Sequence, residues 1–545
     1  MAKIGNPFRR MIGELRANAA RISRSAGLIA ILVVTGTTSP SALAAPPKAL
    51  DFALNDLPQA GLATTTFPAR AAATTVTPRL DEAQMPAHMP LPDLGEPADV
   101  ALSPAKASAM GDRFVGQLYA AGDIVDDPEL RAYLSAIGWR LARYGTQRPM
   151  HFRFYPIASN ALNAFAMPGG DIGVNIGTLV AVHNVSELAA VMAHEEGHET
   201  QNHFARAANQ SILPTVATWA GVLAAIAAST VAGGGGGDSA MGAVLAGESL
   251  NAQRGINYQR THEWEADRTG IQTLALAGYD PRAMAELFAQ MQSQTQLYGA
   301  VPAELIDHPT NSARVAAATL SADQDPPVTV PYSISFHLMR ARARVVAASL
   351  PATVLRYFTA HRDHGETTPG DRYGLAMTQH LIGEDGRAWD TLQPLLKAWP
   401  DQPDVLLLES RILSGLRKPH AALRIDEQLL TVQPDYEPVI LRTAADLLAT
   451  HQAERAANLL LTHHPLFATD PRTYQLLAKA EGAMGHRGAE VFDTASYEES
   501  RRNPRAALHF VKVGLRMSHL SPDASARLAA LRQQLTQSLS EQPGW

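Results

Sequence analysis

The sequence predicts a mainly α protein with two folded parts: an α+β domain with a small β-hairpin or sheet, then an all-α domain of repeated helical hairpins. Three observations predict this class. Apolar residues recur at helical spacing over most of the chain, residues 150–182 alternate and turn as strands do, and the C-terminal part repeats with a period of about 34 residues. At 545 residues the chain exceeds what one hydrophobic core usually holds, so several domains are expected.

The N-terminal residues have the composition of an export signal. Basic residues precede the apolar run AGLIAILVV at 26–34, and Ala42 and Ala44 supply the small residues of an A-x-A cleavage site. The run is shorter than the roughly 20 residues of a membrane-spanning helix. We therefore predict a signal peptide over residues 1–44, with an uncleaved N-terminal anchor as the alternative.

The composition restricts the chemistry that the chain can carry. Cysteine is absent, which excludes disulfides, a thiolate metal site and a cysteine nucleophile, so a transition-metal site must use His, Asp and Glu. Residues 1–44 carry six basic residues and one acidic residue, so their removal (net +5) changes the formal charge from −6 to −11. An acidic, exported chain argues against nucleic acid as a partner.

The chain between the signal and the repeats divides into a leader and a domain. Residues 45–105 are rich in Pro and Ala without a sustained period, so we predict an extended leader, followed by a folded domain over 106–325. Within this domain, MHFRFYPIAS at 150–159 alternates as a strand does. ALNAFAMPGGDIGVNIGTLVAV at 161–182 predicts a hairpin that turns at residues 168–170.

The stretch SELAAVMAHEEGHETQNHFAR contains the chain's most informative chemical motif. Asn184 and Glu187 have the spacing of a capping box, and apolar residues follow at helical intervals, so HEEGH at 194–198 lies inside a predicted helix. His194 and His198 then share one helix face, as two ligands of one metal ion require. A catalytic zinc ion takes three protein ligands and keeps one position open, so a third ligand is needed.

The third ligand is expected further along the chain. A histidine six residues after His198 would complete one known pattern, but that position holds Phe204. THEWEADRTG instead offers Glu263 and Asp267 on one helix face, with Glu265 pointing elsewhere. One carboxylate of the pair can bind the metal while the other accepts the N–H of a ligating imidazole. The alternative is an acidic, solvated helix face.

Residues 212–232 are apolar for about the length of a membrane span, and five glycines follow at 233–237. Small residues and threonine dominate the run, so its hydrophobicity is modest. We favour a helix beside the active site with a glycine hinge. A mobile lid and peripheral membrane contact are the alternatives.

The C-terminal part shows helical patterns, separated by Pro, Asp and Gly, that recur with a period of about 34 residues. Two sets of residues carry the period, Ala388, Ala422 and Ala456 and, separately, Pro400 and Pro434. This is the period of tetratricopeptide repeats, helical hairpins that stack into a concave superhelix. We predict a tetratricopeptide-repeat domain over residues 335–545, with an irregular helical bundle as the alternative.

HEEGH at 194–198 followed by EWEAD at 263–267 resembles the HExxH and ExxxD pattern of the M48 family of zinc metallopeptidases. The combination with C-terminal repeats resembles the periplasmic members of that family. Further matching segments are LPDLG (91–95), AMGDRFVGQL (109–118), NAFAMPGG (163–170), YQRTHEWEADRTG (258–270) and DHP (307–309). One departure is Glu196, where the family usually has Leu; we expect this residue to lie off the metal face.

The resemblance implies a zincin-type α+β metallopeptidase domain that binds one Zn²⁺ per chain. It makes His194, His198 and Glu263 the zinc ligands. It makes Glu195 the general base, which takes a proton from water and passes it to the leaving amine. It gives Asp267 either the orientation of a zinc-bound histidine or a proton-donating role, and from its position we prefer the orienting role.

The resemblance also points to residues around the open side of the site. His308, in LIDHPTNSAR, is a candidate fourth ligand or gating residue, with a loop or capping role as the alternative. Arg314 accompanies it as a candidate oxyanion or substrate contact. We interpret the remaining histidines, such as His151, His183 and His203, as structural or surface residues.

A peptide substrate can add antiparallel to an edge strand beside the predicted active-site helix. The alternative is a hairpin that only braces the domain. The candidate edge strand consists of Asn163, Ala164, Phe165 and Ala166.

The function implied by the resemblance is that of a periplasmic zinc endopeptidase. It would hydrolyse misfolded or stalled outer-membrane proteins and assist outer-membrane protein assembly as a chaperone does. The repeats would recruit unfolded outer-membrane proteins or the outer-membrane barrel assembly machinery. A catalytically silent repeat scaffold is the alternative of a different class, and the complete ligand set argues against it. An integral-membrane M48 enzyme is disfavoured because only 26–34 and 212–232 approach the length of a span.

Overall fold

The computed structural model describes residues 102–145, 150–209, 249–298, 312–326, 328–365, 367–467 and 470–541. The predicted signal peptide and nearly all of the leader, the run at 212–232 with its glycines, and His308 lie outside these residues. In the described part helices predominate and a three-stranded sheet accompanies them, which confirms the mainly α class with a small sheet. None of the helices in these ranges is both long and apolar enough to cross a membrane.

The first folded part is built from helices around a short sheet. Its elements are α1 (Pro104–Ala121), α2 (Pro128–Gly145), β1 (Arg153–Ile157), β2 (Ala164–Met167), β3 (Asp171–Asn175), α3 (Ile176–Ala181), α4 (Val185–Thr200), α5 (His203–Asn209), α6 (Ser249–Leu276), α7 (Ala283–Tyr298) and α8 (Ser312–Ala322). Strand β3 lies in the centre, parallel to β1 and antiparallel to β2. Strand β2 is therefore an edge of this sheet.

The hairpin of β2 and β3 turns where the sequence predicts. Gly169 and Gly170 have φ angles of 97° and 91°, a conformation that glycine adopts without steric cost. The predicted hairpin extends too far, however. Residues 176–181 instead form α3, for which Asn175, the last residue of β3, is the N-cap position. The strand predicted at 150–159 is present as the shorter β1.

Helix α4 begins as its capping residues predict. The Asn184 side chain accepts the Glu187 N–H at 3.0 Å. The reciprocal bond differs from the usual box, because the Glu187 carboxylate accepts the N–H of His183, at 2.8 Å, rather than that of Asn184. Nearly all of α4 is buried, which places its polar residues inside the protein.

Helices α4 and α6 approach each other closely because both have small residues at their contact. A Cβ atom at Gly197 would lie 3.0 Å from the carbonyl oxygen of Ala266. A Cβ atom at Gly270 would lie 3.3 Å from the carbonyl group of Ala193. This approach lets the side chains of α6 reach the HEEGH residues of α4.

The C-terminal part is helical throughout its described residues. Its helices are α9 (Ile334–Ala347), α10 (Pro351–Asp363), α11 (Pro369–Leu381), α12 (Asp385–Ala398), α13 (Pro403–Gly415), α14 (Pro419–Val432), α15 (Glu437–Ala449), α16 (Ala453–Phe467), α17 (Pro471–Met484), α18 (Arg487–Ser500), α19 (Pro504–Gly514) and α20 (Pro522–Glu541). The first residues of α11, α13, α15 and α17 are evenly spaced at the period of the sequence repeat, and so are those of α12, α14, α16 and α18. Ala388, Ala422 and Ala456, which carry the sequence period, are all fully buried.

Buried ion pairs join α9 to the start of α2. The Arg342 guanidinium donates to Asp127 at 2.8 Å, to Glu129 at 2.8 Å and to the Tyr373 hydroxyl at 2.9 Å. Glu129 also pairs with Arg411. The hydrophobic core is likewise continuous between the two parts, because residues of both belong to one buried cluster. The α+β part that holds the HEEGH helix is thus fixed to the helical C-terminal part.

Arg342→Met should lower the free energy of unfolding by about 3–5 kcal/mol, because Asp127 loses its cation and Glu129 keeps only Arg411. Urea denaturation followed by circular dichroism measures the change. Arg387→Met is the matched control, since Arg387 pairs with Glu384 on the surface, and we expect it to change the value by roughly 0.5 kcal/mol or less. Equal effects of the two substitutions would contradict this account of the interface.

Candidate metal centre

The structure brings the three predicted zinc ligands together. His194 and His198 project from α4, and their Nε2 atoms are 3.1 Å apart. Glu263 projects from α6, with Oε2 3.5 Å from His194 Nε2 and Oε1 3.7 Å from His198 Nε2. One ligand atom from each residue lies within 4.8 Å of the other two. One ion between them can therefore contact all three.

The chemistry of these groups fits a divalent cation. His194 Nδ1 lies 2.9 Å from Asp267 Oδ1, an acceptor, so a neutral ring carries its proton on Nδ1 and turns its Nε2 lone pair toward the ligand cluster. Burial disfavours a charged His194, but hydrogen bonds to Asp267 and Glu263 outweigh it and raise the pKa to about 9. The environment thus favours a positive charge between the imidazole and the carboxylates, which a metal ion supplies. Two imidazoles and a carboxylate form a donor set of catalytic zinc sites.

Asp267 is held by the guanidinium of Arg314. The two Asp267 oxygens accept from Arg314 Nε and Nη2 at 2.8 and 2.7 Å, and Arg314 Nη1 lies 3.0 Å from Glu263 Oε2. The ring of Phe288 covers the guanidinium at 4.7 Å. Arg314 is only 2% exposed. This placement favours a role in positioning Asp267 and Glu263 over the oxyanion or substrate contact predicted from the sequence.

Glu195 lies next to the ligands and contacts the edge strand. Its Oε2 accepts the backbone N–H of Ala166 in β2 at 2.9 Å, and the residue is buried. Asn163 accepts the N–H of Asn175 from β3, so the alternation of an antiparallel pair directs the backbone groups of Ala164 and Ala166 away from β3. The predicted base and the predicted peptide-binding strand are thus in direct contact.

His203, which the sequence suggested was structural or on the surface, lies in direct contact with a predicted ligand. It is buried, and its Nδ1 lies 2.9 Å from Nδ1 of His198. Its Nε2 lies 3.1 Å from Oε2 of Glu265, which also accepts from Arg206 at 2.6 Å. Burial and the neighbouring His262 lower the pKa of His203 to about 4, so the ring is neutral.

Sequence spacing gave little sign of this contact. His203 follows His198 by five residues, an interval that would separate the two rings on one continuous helix. Helix α4 ends before that, and the chain turns at Asn202, whose φ is 53°, so that α5 starts beside the ligand. The sequence signal for this turn was an asparagine just after the predicted helix, a residue type that often adopts positive φ at a helix C-terminus.

Glu196, the departure from the family pattern, is buried without a compensating contact in the described part of the protein. It is 2% exposed, and neither carboxylate oxygen has a hydrogen-bond partner among the described residues. Burial raises the pKa of Glu196 well above its ordinary value. The carboxyl group therefore opposes folding rather than supporting it.

The chain is similar to known metallopeptidases. Residues 128–321 match Peptidase family M48. The chain is 32% identical over 406 residues to the Beta-barrel assembly-enhancing protease of Escherichia coli (strain K12), covering 74% of this chain and 82% of that protein. It is 29% identical over 451 residues to the Putative beta-barrel assembly-enhancing protease of Vibrio cholerae, covering 82% and 92%. A shorter likeness, 27% over 183 residues and 34% and 50% of the two chains, is to the Mitochondrial metalloendopeptidase OMA1 of Schizosaccharomyces pombe.

Glu196→Leu should raise the free energy of unfolding by about 1–3 kcal/mol, because it removes a buried polar group that lacks a partner. Glu196→Gln keeps the polar atoms and should give a smaller gain. Denaturation of the metal-free forms, prepared with a chelator, measures stability separately from metal binding. A loss of stability in Glu196→Leu would mean that the carboxyl group makes a contact that favours the folded state.

Proposed function

We propose that this chain, which belongs to peptidase family M48 and is a metalloendopeptidase, is an exported, zinc-dependent enzyme that hydrolyses misfolded or stalled outer-membrane proteins. The observation that carries the proposal is the convergence of His194, His198 and Glu263 with Glu195 beside them. The identity to relatives named for beta-barrel assembly supports the substrate class. The signal-like residues 1–44 support export and a periplasmic location.

His194, His198 and Glu263 would hold one Zn²⁺ per chain. When bound, zinc polarises the scissile carbonyl group and lowers the pKa of water toward neutrality. Glu195 acts as the general base: its carboxylate takes a proton from the attacking water and passes it to the leaving amine. The hydrogen bond from Ala166 fixes the orientation of this carboxylate.

Asp267 acts by orienting His194 rather than by donating a proton to the substrate. Its Oδ1 lies 2.9 Å from His194 Nδ1, and Arg314 donates to both of its oxygens. Both carboxylate oxygens of Asp267 thus serve as hydrogen-bond acceptors. Asp267 therefore keeps the imidazole in the tautomer that presents Nε2 to the metal.

The edge strand β2 binds the substrate backbone. The backbone groups of Ala164 and Ala166 point away from β3, and the N–H of Ala166 donates to Glu195, so a peptide added on this side of β2 would lie beside the base. An added peptide strand would be recognised through its own N–H and C=O groups, with little dependence on side chains. Such tolerance suits an enzyme that acts on many unfolded sequences.

The C-terminal helices form a tetratricopeptide-repeat superhelix that recruits substrates. The recurrence of paired helices at the period of the sequence repeat supports this proposal. Its partners would be unfolded outer-membrane proteins or the outer-membrane barrel assembly machinery, and the same binding gives a chaperone-like role. For residues 212–232 the proposal remains a helix beside the active site, with peripheral membrane contact as the alternative. A silent scaffold is less well supported, because the site retains its ligands, its base and the groups that orient them.

Glu195→Gln should keep about one zinc per chain and lose about 10²–10⁴-fold in kcat, because the amide cannot accept the proton from water. Metal content by atomic absorption and cleavage of an unfolded outer-membrane barrel protein, both on residues 45–545, test this. If both forms hold zinc and neither cleaves, His308→Ala tests the predicted gate next. If neither form binds metal, the peptidase proposal is wrong and the repeat scaffold replaces it.

Backbone N-methylation of a peptide substrate should raise KM at alternate positions near the scissile bond, because it removes the N–H groups that pair with β2. Side-chain substitutions at the same positions should change KM much less. A series of singly methylated peptides, assayed at equal enzyme concentration, measures the pattern. Equal KM values across the series would contradict recognition by strand addition.

A further inference from the structure

The tautomer of His198 is decided by the groups around it. A neutral imidazole carries one ring proton, and a metal ligand must present its unprotonated nitrogen. The Nε2 atom of His198 faces His194 and Glu263, so its proton must lie on Nδ1. That proton needs an acceptor, and the atom opposite is Nδ1 of His203 at 2.9 Å.

Glu265 makes His203 that acceptor. The carboxylate lies 3.1 Å from His203 Nε2 and accepts from Arg206 at 2.6 Å, so it is ionised and can only accept from His203. An imidazole with one ring proton at this position carries the proton on Nε2, toward Glu265, and its Nδ1 lone pair then faces His198. The direction of each hydrogen bond follows: His198 donates to His203, and His203 donates to Glu265.

The two imidazole ligands are thus supported in parallel ways. His194 donates to Asp267, which Arg314 holds, and the chain of donors from His198 ends at Glu265, which Arg206 holds. Both carboxylates come from α6, four and two residues after Glu263. A position two residues from Glu263 faces away from it on a helix, and His203 at the start of α5 spans the distance to His198.

A second metal ion does not explain this cluster. Ligand atoms of His203, His262 and Glu265 also lie within 4.8 Å of one another. The rings of His203 and His262 are, however, stacked at 4.0 Å with 3° between their planes. An imidazole binds a metal in the plane of its ring, and one ion cannot lie in both of two parallel, stacked planes.

We propose that His203 is a positioning residue for the metal centre: it accepts the Nδ1–H of His198 and holds Nε2 of that residue in its metal-binding form, while Glu265 fixes the tautomer of His203. The inference rests on the proposed zinc site. It adds a second hydrogen-bonded support to the proposed site. Of its two members, His203 lies outside the HExxH and ExxxD patterns, and Glu265 occupies a variable position of ExxxD.

A pair of substitutions separates the acceptor from the ring. His203→Phe keeps a flat ring against His262 but removes the acceptor, whereas His203→Asn loses the ring but can place its amide oxygen near the former Nδ1 position. We expect His203→Phe to weaken zinc binding about 10–100-fold and to change the visible spectrum of the cobalt-substituted protein. His203→Asn should recover most of the affinity and the wild-type spectrum.

Zinc affinity is measured by competition with a chromophoric chelator on the purified full chain, and the thermal midpoint of each metal-free form is measured as a check on folding. His183→Phe is the control, because its side chain is 63% exposed at the other end of α4. Glu265→Ala tests the same support with little disturbance, since that side chain is 36% exposed, and it should weaken zinc binding in the same direction as His203→Phe.

The outcomes are distinct. Weaker binding in His203→Phe and Glu265→Ala, with recovery in His203→Asn and unchanged metal-free midpoints, supports the proposal. Wild-type affinity in His203→Phe, or equal losses in the Phe and Asn variants, overturns it and leaves His203 as a packing residue. Absence of zinc binding by the wild-type chain overturns the proposed function as well, so failure of the inference alone is recognised by normal wild-type affinity.

Discussion

Two imidazole nitrogens held 3.1 Å apart beside a buried carboxylate are the constraint on which the rest of the structure depends. Such lone pairs and negative charge repel one another unless a cation lies between them. The close approach of α4 and α6 at Gly197 and Gly270 brings them together. The hydrogen bonds outside the cluster keep the protons on the far side of each ring.

Charge alternates outward from this centre. Asp267 accepts from His194 and is held by the guanidinium of Arg314. Glu265 accepts from His203 and is held by the guanidinium of Arg206. Along these two lines each carboxylate meets a positive charge, which is how such groups are tolerated in an interior of low dielectric constant. Glu196, on the same helix as the two histidine ligands, is a buried acid with no hydrogen-bond partner among the described residues.

The sequence predicted the features of the site that depend on helical spacing and missed those that depend on a turn or on packing between distant segments. HEEGH predicted two histidines on one helix face, and EWEAD predicted carboxylates on another helix, because both patterns follow from helical geometry. His203 was missed because its contact with Glu265 spans 62 residues and depends on the turn at Asn202. The helix at 176–181 was missed because its apolar residues suit a buried strand equally well. The placement of Arg314 against Asp267 follows from the packing of α8, which no local pattern indicates.

The shared core and the buried ion pairs of Arg342 bear on how such a chain can evolve. Recombination between the two parts, near residues 325–335, would expose the apolar residues of α9 and leave Asp127 without its cation. The peptidase part and the helical part are therefore not interchangeable modules, although their sequences differ in kind. We therefore expect substitutions at their boundary to be constrained by residues of both parts.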